Sequence, residues 1–197
     1  MTTNKSKESV LFDESTFDHL INCRDIDNLI IKGHLIIEHK IDEFIDNHSI
    51  IKTNFQNHKI GFNLKIDIAK VLGLFILSED LFSALILLNK LRNSIAHNLK
   101  PDEELFNNFI QVVDSDSSLI KLYKEFGDVT LTNDSGEQYK VSSNHFRFSL
   151  CIANLYGRIS EISNFTLKEL ITLKTRKFRI EKERNRKSAP KAKTKNP

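Results

Sequence analysis

The chain of 197 residues contains two cysteines, three prolines, six glycines, one methionine and no tryptophan. Each scarcity excludes something. Cys23 and Cys151 are far apart and match no CxxC or Cys/His spacing, so neither a zinc module nor a disulfide framework is expected, and a reducing cytoplasm fits. Pro101 is the only proline before residue 190, which leaves long stretches free of helix breakers. GxGxxG patterns, Walker-type loops and Ser or Cys nucleophile arrangements are missing, so nucleotide-binding and covalent-hydrolase readings have no anchor. The longest uncharged apolar runs, 71–77 and 81–88, are core material, too short for a bilayer. Residues 1–9 are polar, without the apolar stretch of a secretory leader, and no membrane partner is expected. The aromatics are mostly phenylalanine, 14 against three tyrosines, which suits core packing better than a base-stacking platform.

What is present reads as one globular domain, with 40% hydrophobic and 28% charged residues. Apolar positions recur at helical spacing over most of the chain, which gives an all-α class, mostly a helical bundle. The net charge of +3 hides a split: 174–197 hold eleven Lys/Arg against Glu181 and Glu183, or +9, leaving −6 for the rest. Residues 1–14 read as a flexible lead-in, 15–178 as the helical domain and 179–197 as a basic disordered tail.

The apolar pattern predicts a first helix through Phe17, Leu20, Ile21, Ile26, Leu29 and Ile30, with Gly33 as its end or a kink. A second follows over 34–47, a third over 59–77, and a fourth from Glu79 or Asp80 to His97. Pro101 with Asp102, Glu103 and Glu104 starts a fifth through Val113, because proline suits the first turn and acids suit the positive end of the helix dipole. A short helix is expected over 118–126. Near 128–143 the pattern changes to a small β-hairpin with strands at 129–132 and 138–141 around Asn133-Asp134-Ser135-Gly136, a long loop being the alternative. A long helix then runs from His145 past Leu173 and frays beyond Phe178.

The feature richest in chemistry is Arg92-Asn93-Ser94-Ile95-Ala96-His97, at the end of the fourth helix. Arginine supplies a permanent cation whose N–H groups fork onto phosphate oxygens. Imidazole can take a proton from a ribose hydroxyl and return one to a leaving oxygen. No metal or cofactor is needed for such a cut. At ~100° per residue, Ala84, Leu88, Leu91 and Ile95 form the core stripe, Arg92 lies at its edge, and His97 sits ~140° around from Arg92. Asn93, four residues before His97, is placed to orient the imidazole. Two protomers with these helices adjacent across a two-fold axis would unite two arginines and two histidines in one cleft, so a homodimer is expected. The competing reading is plain capping of the helix C-terminus by Arg, Asn and His.

Leu91-Arg92-Asn93-Ser94-Ile95-Ala96-His97-Asn98 resembles the R-polar-x-x-x-H signature of the HEPN superfamily of α-helical domains. Gly33-His34-Leu35-Ile36-Ile37-Glu38, Phe62-Asn63-Leu64-Lys65-Ile66, Leu72-Gly73-Leu74-Phe75 and Leu88-Asn89-Lys90-Leu91-Arg92-Asn93 together resemble the layout of its mannitol-operon-repressor-like branch. The resemblance implies a dimeric, metal-independent endoribonuclease acting on RNA, in a toxin or phage-defence setting with an antitoxin or regulatory partner. It gives Arg92 the scissile phosphate, Asn93 the shaping of the site and His97 the acid or base role, with a 2′,3′-cyclic phosphate and a 5′-hydroxyl as products. Leu99 stands where toxins paired with nucleotidyltransferases carry a tyrosine, so control by modification there is not implied. Because the repressor-like branch contains regulators, the alternative is a non-catalytic regulator or scaffold working by protein or nucleic-acid binding.

Three further features bear on function. Lys174, Arg176, Lys177, Arg179, Arg184, Arg186 and Lys187 are candidates for contacts with nucleic-acid phosphates. His34, His39, His48 and His58 lie near Glu38 and Asp42 but lack HExxH-like spacing, so no metal site is expected. Glu38 is a candidate buried partner for Arg92.

Overall fold

The structure, a computed structural model, describes residues 20, 23, 25–50, 59–98, 100–114, 129–132, 136 and 138–188. The expected lead-in at 1–14 and the short helix at 118–126 lie outside them. The fold is all-α with one hairpin: helices α1 (Ile26–His48), α2 (Phe62–Val71), α3 (Glu79–Asn98) and α4 (Glu103–Asp114), strands β1 (Val129–Thr132) and β2 (Gln138–Val141), then α5 (Ser143–Ser163) and α6 (Leu167–Ser188). The strands pair antiparallel with Val129 opposite Val141 and Thr132 opposite Gln138, at the positions that the alternating pattern indicates.

Helix α1 is the centre of the bundle. It packs against α5, α2 and α3, while α4 packs on α3 and α5. Leu29, Ile30, Ile37, Ile41, Phe44 and Ile45 on α1 are fully buried, and Phe148 of α5 lies against Phe109 and Phe106 of α4 at ring separations of 5.4 and 5.8 Å. Asp25 caps α1 by accepting from the Asp27 amide and from the Asn28 side chain. The two helices expected on either side of Gly33 are one. Gly33 neither ends nor kinks α1: a Cβ there would lie 2.9 Å from both Ile152 and Phe148, so the glycine lets α5 approach the α1 backbone.

The third helix, expected to reach Leu77, stops at Val71. Gly73 takes φ 99°, its N–H reaches the Lys70 carbonyl, and the Leu74 N–H reaches that of Ala69. These are the two bonds of a Schellman termination, which a left-handed glycine makes at no steric cost. The expected long helix after His145 is likewise two. Thr166 and Glu169 form a reciprocal capping box: the Thr166 amide donates to Glu169 Oε2 at 2.8 Å and the Glu169 amide to Thr166 Oγ1 at 3.3 Å. The chain therefore ends α5 at Ser163 and starts again at Leu167. Helix α6 then continues to Ser188 instead of fraying at Phe178, so the first part of the segment expected to be a disordered tail is helical; 189–197 lie outside the described residues.

Two polar ties hold the ends in place. Arg158 of α5 donates to Ser78 and, at 2.6 Å, to Asp80 at the start of α3. His48 at the end of α1 lies 2.8 Å from the Phe44 carbonyl and 3.0 Å from that of Phe165, joining α1 to the α5–α6 turn. Among the described residues no helix is long and apolar enough to cross a membrane.

Candidate functional site

The last turns of α3 present Arg92 and His97 to solvent, with Asn93 half-buried. The core stripe predicted for this helix is in place: Ala84, Leu88 and Leu91 are fully buried and Ile95 nearly so. Ser94 fixes the helix end, donating to the Leu91 carbonyl at 2.7 Å and accepting from the Asp102 amide at 3.2 Å. Asp102 in turn accepts from the Leu105 amide at the start of α4. The end of α3 that carries the candidate residues is therefore locked to the next helix by a buried hydroxyl.

Arg92 donates from Nη1 to Asn93 Oδ1 at 3.1 Å. Asn93 thus turns its amide oxygen to Arg92, whereas helical spacing alone pairs it with His97. An exposed guanidinium held by an adjacent amide keeps its remaining N–H groups outward, a geometry suited to an incoming phosphate.

Beneath this face lies a buried polar cluster built by α1, α2 and α3. Lys65 of α2, 5% exposed, places its ammonium 2.8 Å from both Glu38 Oε1 and Asp42 Oδ2 of α1. Glu38 is thus paired with Lys65 and not with Arg92, which corrects the expectation from the sequence. Burial opposes the Lys65 charge, but hydrogen bonds and attraction from both carboxylates outweigh it and raise its pKa above the ordinary value. Burial raises the Asp42 pKa above its ordinary value, against the pull of Lys65.

His34, also buried, packs on Phe62 at 4.2 Å between ring centroids. Its Nδ1 faces Glu38 at 3.7 Å and its Nε2 lies 3.3 Å from Asn89 Oδ1. Because an amide oxygen only accepts, Nε2 carries the proton in that bond. Burial lowers the His34 pKa from 6.5 in spite of Glu38 and the Asn89 bond, and the nearby charges of Arg92 and Lys65 lower it further. The ring is therefore neutral at pH 7. Asn89 passes the chain on, donating from Nδ2 to Asn63 Oδ1 at 2.8 Å.

The remaining histidines of the early cluster have separate tasks. His48 bridges carbonyls, His39 faces Glu43 at 3.2 Å, and His58 lies outside the described residues. Sequence reasoning assigns no role to Asn63, Lys65 or Asn89, which enter it only within the stretches that carry the family resemblance. For Asn89 the available signal was its spacing with Asn93 and His97, which recur every four residues and so form one polar row beside the apolar stripe of α3.

Helix α6 carries Lys174, Arg176, Lys177, Arg179 and Arg184, all exposed, and Arg186 and Lys187 lie in its last turns. Leu170 is buried, and the α2–α3 connection approaches at Gly73, but Ile171, Phe178 and Ile180 remain 53%, 66% and 46% exposed. The helix is thus a basic rod with apolar side chains on its surface. Comparison with protein-family models, curated proteins and solved structures returns no match.

Proposed function

We propose that this protein is a metal-independent endoribonuclease whose centre is Arg92, Asn93 and His97. The observation that carries the reading is that Arg92 and His97 are both solvent-exposed at the end of α3, with Arg92 held by Asn93. Side chains sealed in the core or consumed by ion pairs would not support it. In the proposed reaction the His97 imidazole takes the proton of the ribose 2′-hydroxyl, O2′ attacks phosphorus, and the bond to O5′ breaks as the imidazolium so formed gives that proton to O5′. Arg92 neutralises the charge that builds on the phosphate oxygens. The products are a 2′,3′-cyclic phosphate and a 5′-hydroxyl.

Arg92 and His97 are five residues apart, or ~140° around the helix, so one copy of α3 presents them in different directions. A homodimer in which the two α3 ends meet answers this, with Arg92 of one protomer beside His97 of the partner subunit. The basic face of α6 supplies further phosphate contacts. The HEPN resemblance adds the toxin or phage-defence setting and an antitoxin or regulatory partner as restraint, and the sparse, widely separated cysteines suit a cytoplasmic location.

A second reading is supported by α6 itself. An exposed basic helix carrying Ile171, Phe178 and Ile180 suits a non-catalytic regulator or scaffold that binds protein or nucleic acid. Incubation of the protein with RNA in the presence of a chelator separates the two. Cleavage yielding cyclic phosphate ends, abolished by both Arg92→Ala and His97→Ala, supports the nuclease, and intact RNA that is nevertheless bound supports the regulator.

A further inference from the structure

We propose that Asn63, oriented through Asn89 by the buried His34, forms a second phosphate-binding position beside Arg92, so that the site grips the RNA backbone on both sides of a nucleotide. The inference rests on the reading of this face as an RNA site and deepens it.

Each hydrogen bond on this face has a direction. His34 donates to the Asn89 oxygen, Asn89 donates to the Asn63 oxygen, and Arg92 donates to the Asn93 oxygen. Each of these three amide oxygens is therefore committed to a donor within the set. An amide whose oxygen is committed to a neighbour turns its NH2 group away from that neighbour. Asn63 is exposed and Asn93 half-exposed, so the outer surface offers N–H groups beside a guanidinium. A base edge mixes donors and acceptors, whereas a phosphate only accepts. The donor-rich face fits a phosphate.

The row also has the reach for it. Asn89, Asn93 and His97 span eight residues, about 12 Å along α3, more than one nucleotide of an extended strand needs. The chain starts from a ring that stays neutral near pH 7, held so by burial together with Arg92 and Lys65. His34 is a positioning residue. It touches no substrate and sets which way the Asn89 amide faces.

The test uses the full-length 15N-labelled protein and a tetraribonucleotide made uncleavable by 2′-O-methyl groups. The side-chain NH2 signals of Asn63 and Asn93 should shift and saturate together. Asn63→Asp, which replaces an outward donor by an anion at an exposed position, should weaken binding at least about tenfold, roughly the loss of one charge-assisted hydrogen bond. A methylphosphonate at the flanking linkage should weaken binding to the wild type but not further weaken binding to Asn63→Ala. For His34, the replacement His34→Gln keeps a donor and should retain affinity, while His34→Phe should lower it. An unmoved Asn63 amide at saturation, or an Asn63→Asp variant that binds like the wild type, overturns the proposal. Because binding is read on uncleavable RNA, a protein that cuts nothing still supports or overturns this position, and cleavage without any Asn63 effect removes this position alone.

Discussion

Gly33 and Lys65 show how single residues set the architecture around the site. An alanine at position 33 would gain about 1 kcal/mol of helix propensity, but its methyl would meet Ile152 and Phe148 at 2.9 Å. Both are fully buried and have nowhere to move, and overpacking costs about 1–3 kcal/mol. Gly33→Ala is therefore expected to destabilise the fold, read as a lower unfolding midpoint in urea. Lys65 neutralises two carboxylates in a site nearly closed to water. Lys65→Met leaves both without a cation and should cost about 3 kcal/mol, the low end for a broken buried pair because Glu38 remains partly solvated. Adding Asp42→Asn should recover part of that loss. If the double variant is no more stable than Lys65→Met alone, the cluster is not held by charge. The guanidinium and imidazole of Arg92 and His97 were legible from their chemistry, but the partners of Arg92 and Glu38 were not. Which cation reaches Glu38 depends on how α2 crosses α1, and no local spacing encodes that.

At the scale of elements, the strongest signals are the ones that stop helices. Gly73 and the Thr166–Glu169 box each break a run of apolar periodicity that would otherwise continue, and both are present in the sequence as recognisable caps. Periodicity extends across them and masks them when the chain is read without its fold. Glu169→Ala removes the carboxylate that accepts from the Thr166 amide, and the start of α6 should lose about 1 kcal/mol. Hydrogen exchange at the first amides of α6 measures this, and unchanged protection there would mean that Leu170 alone anchors the helix. The hairpin was legible because alternation flanks a Gly-containing turn, and α4 because its Pro and acidic start is strong. Helix α6 is longer than its pattern indicates because its apolar stripe thins among charges, yet helix propensity in Arg, Lys and Glu carries it to Ser188.

At the scale of the whole molecule, the charge split and the buried ionisable groups give two further expectations. His34 has its pKa lowered from 6.5 in the folded state, so below that pH the unfolded chain binds more protons and folding stability falls as pH drops. Asp80 behaves in the same sense at lower pH: burial opposes its charge, but Ser78 and Arg158 hold it below 3.8, so its stabilisation is present above that value and is lost as pH falls further. A His34→Gln variant should show a flatter stability profile just below pH 6.5 than the wild type, and identical profiles would place another group in control. If α6 holds RNA phosphates, log K should fall with log salt. Changing Lys174, Arg176, Lys177 and Arg179 together to Gln should reduce that slope by about 3, at roughly 0.7 per phosphate for a single strand. An unchanged slope would assign RNA binding to the α3 face alone.

The amino-acid sequence by itself determined the helical class, the positions of the two strands, the core stripe of α3 and the clustering of basic charge at one end, because each follows from periodicity, composition or cap chemistry within a few residues. The tertiary structure alone decided that α1 runs through Gly33, that Lys65 sits between Glu38 and Asp42, and that His34, Asn89 and Asn63 form one chain of hydrogen bonds under Arg92. These join residues as much as 55 apart in the chain, and such contacts are fixed by how helices pack, which local spacing does not specify.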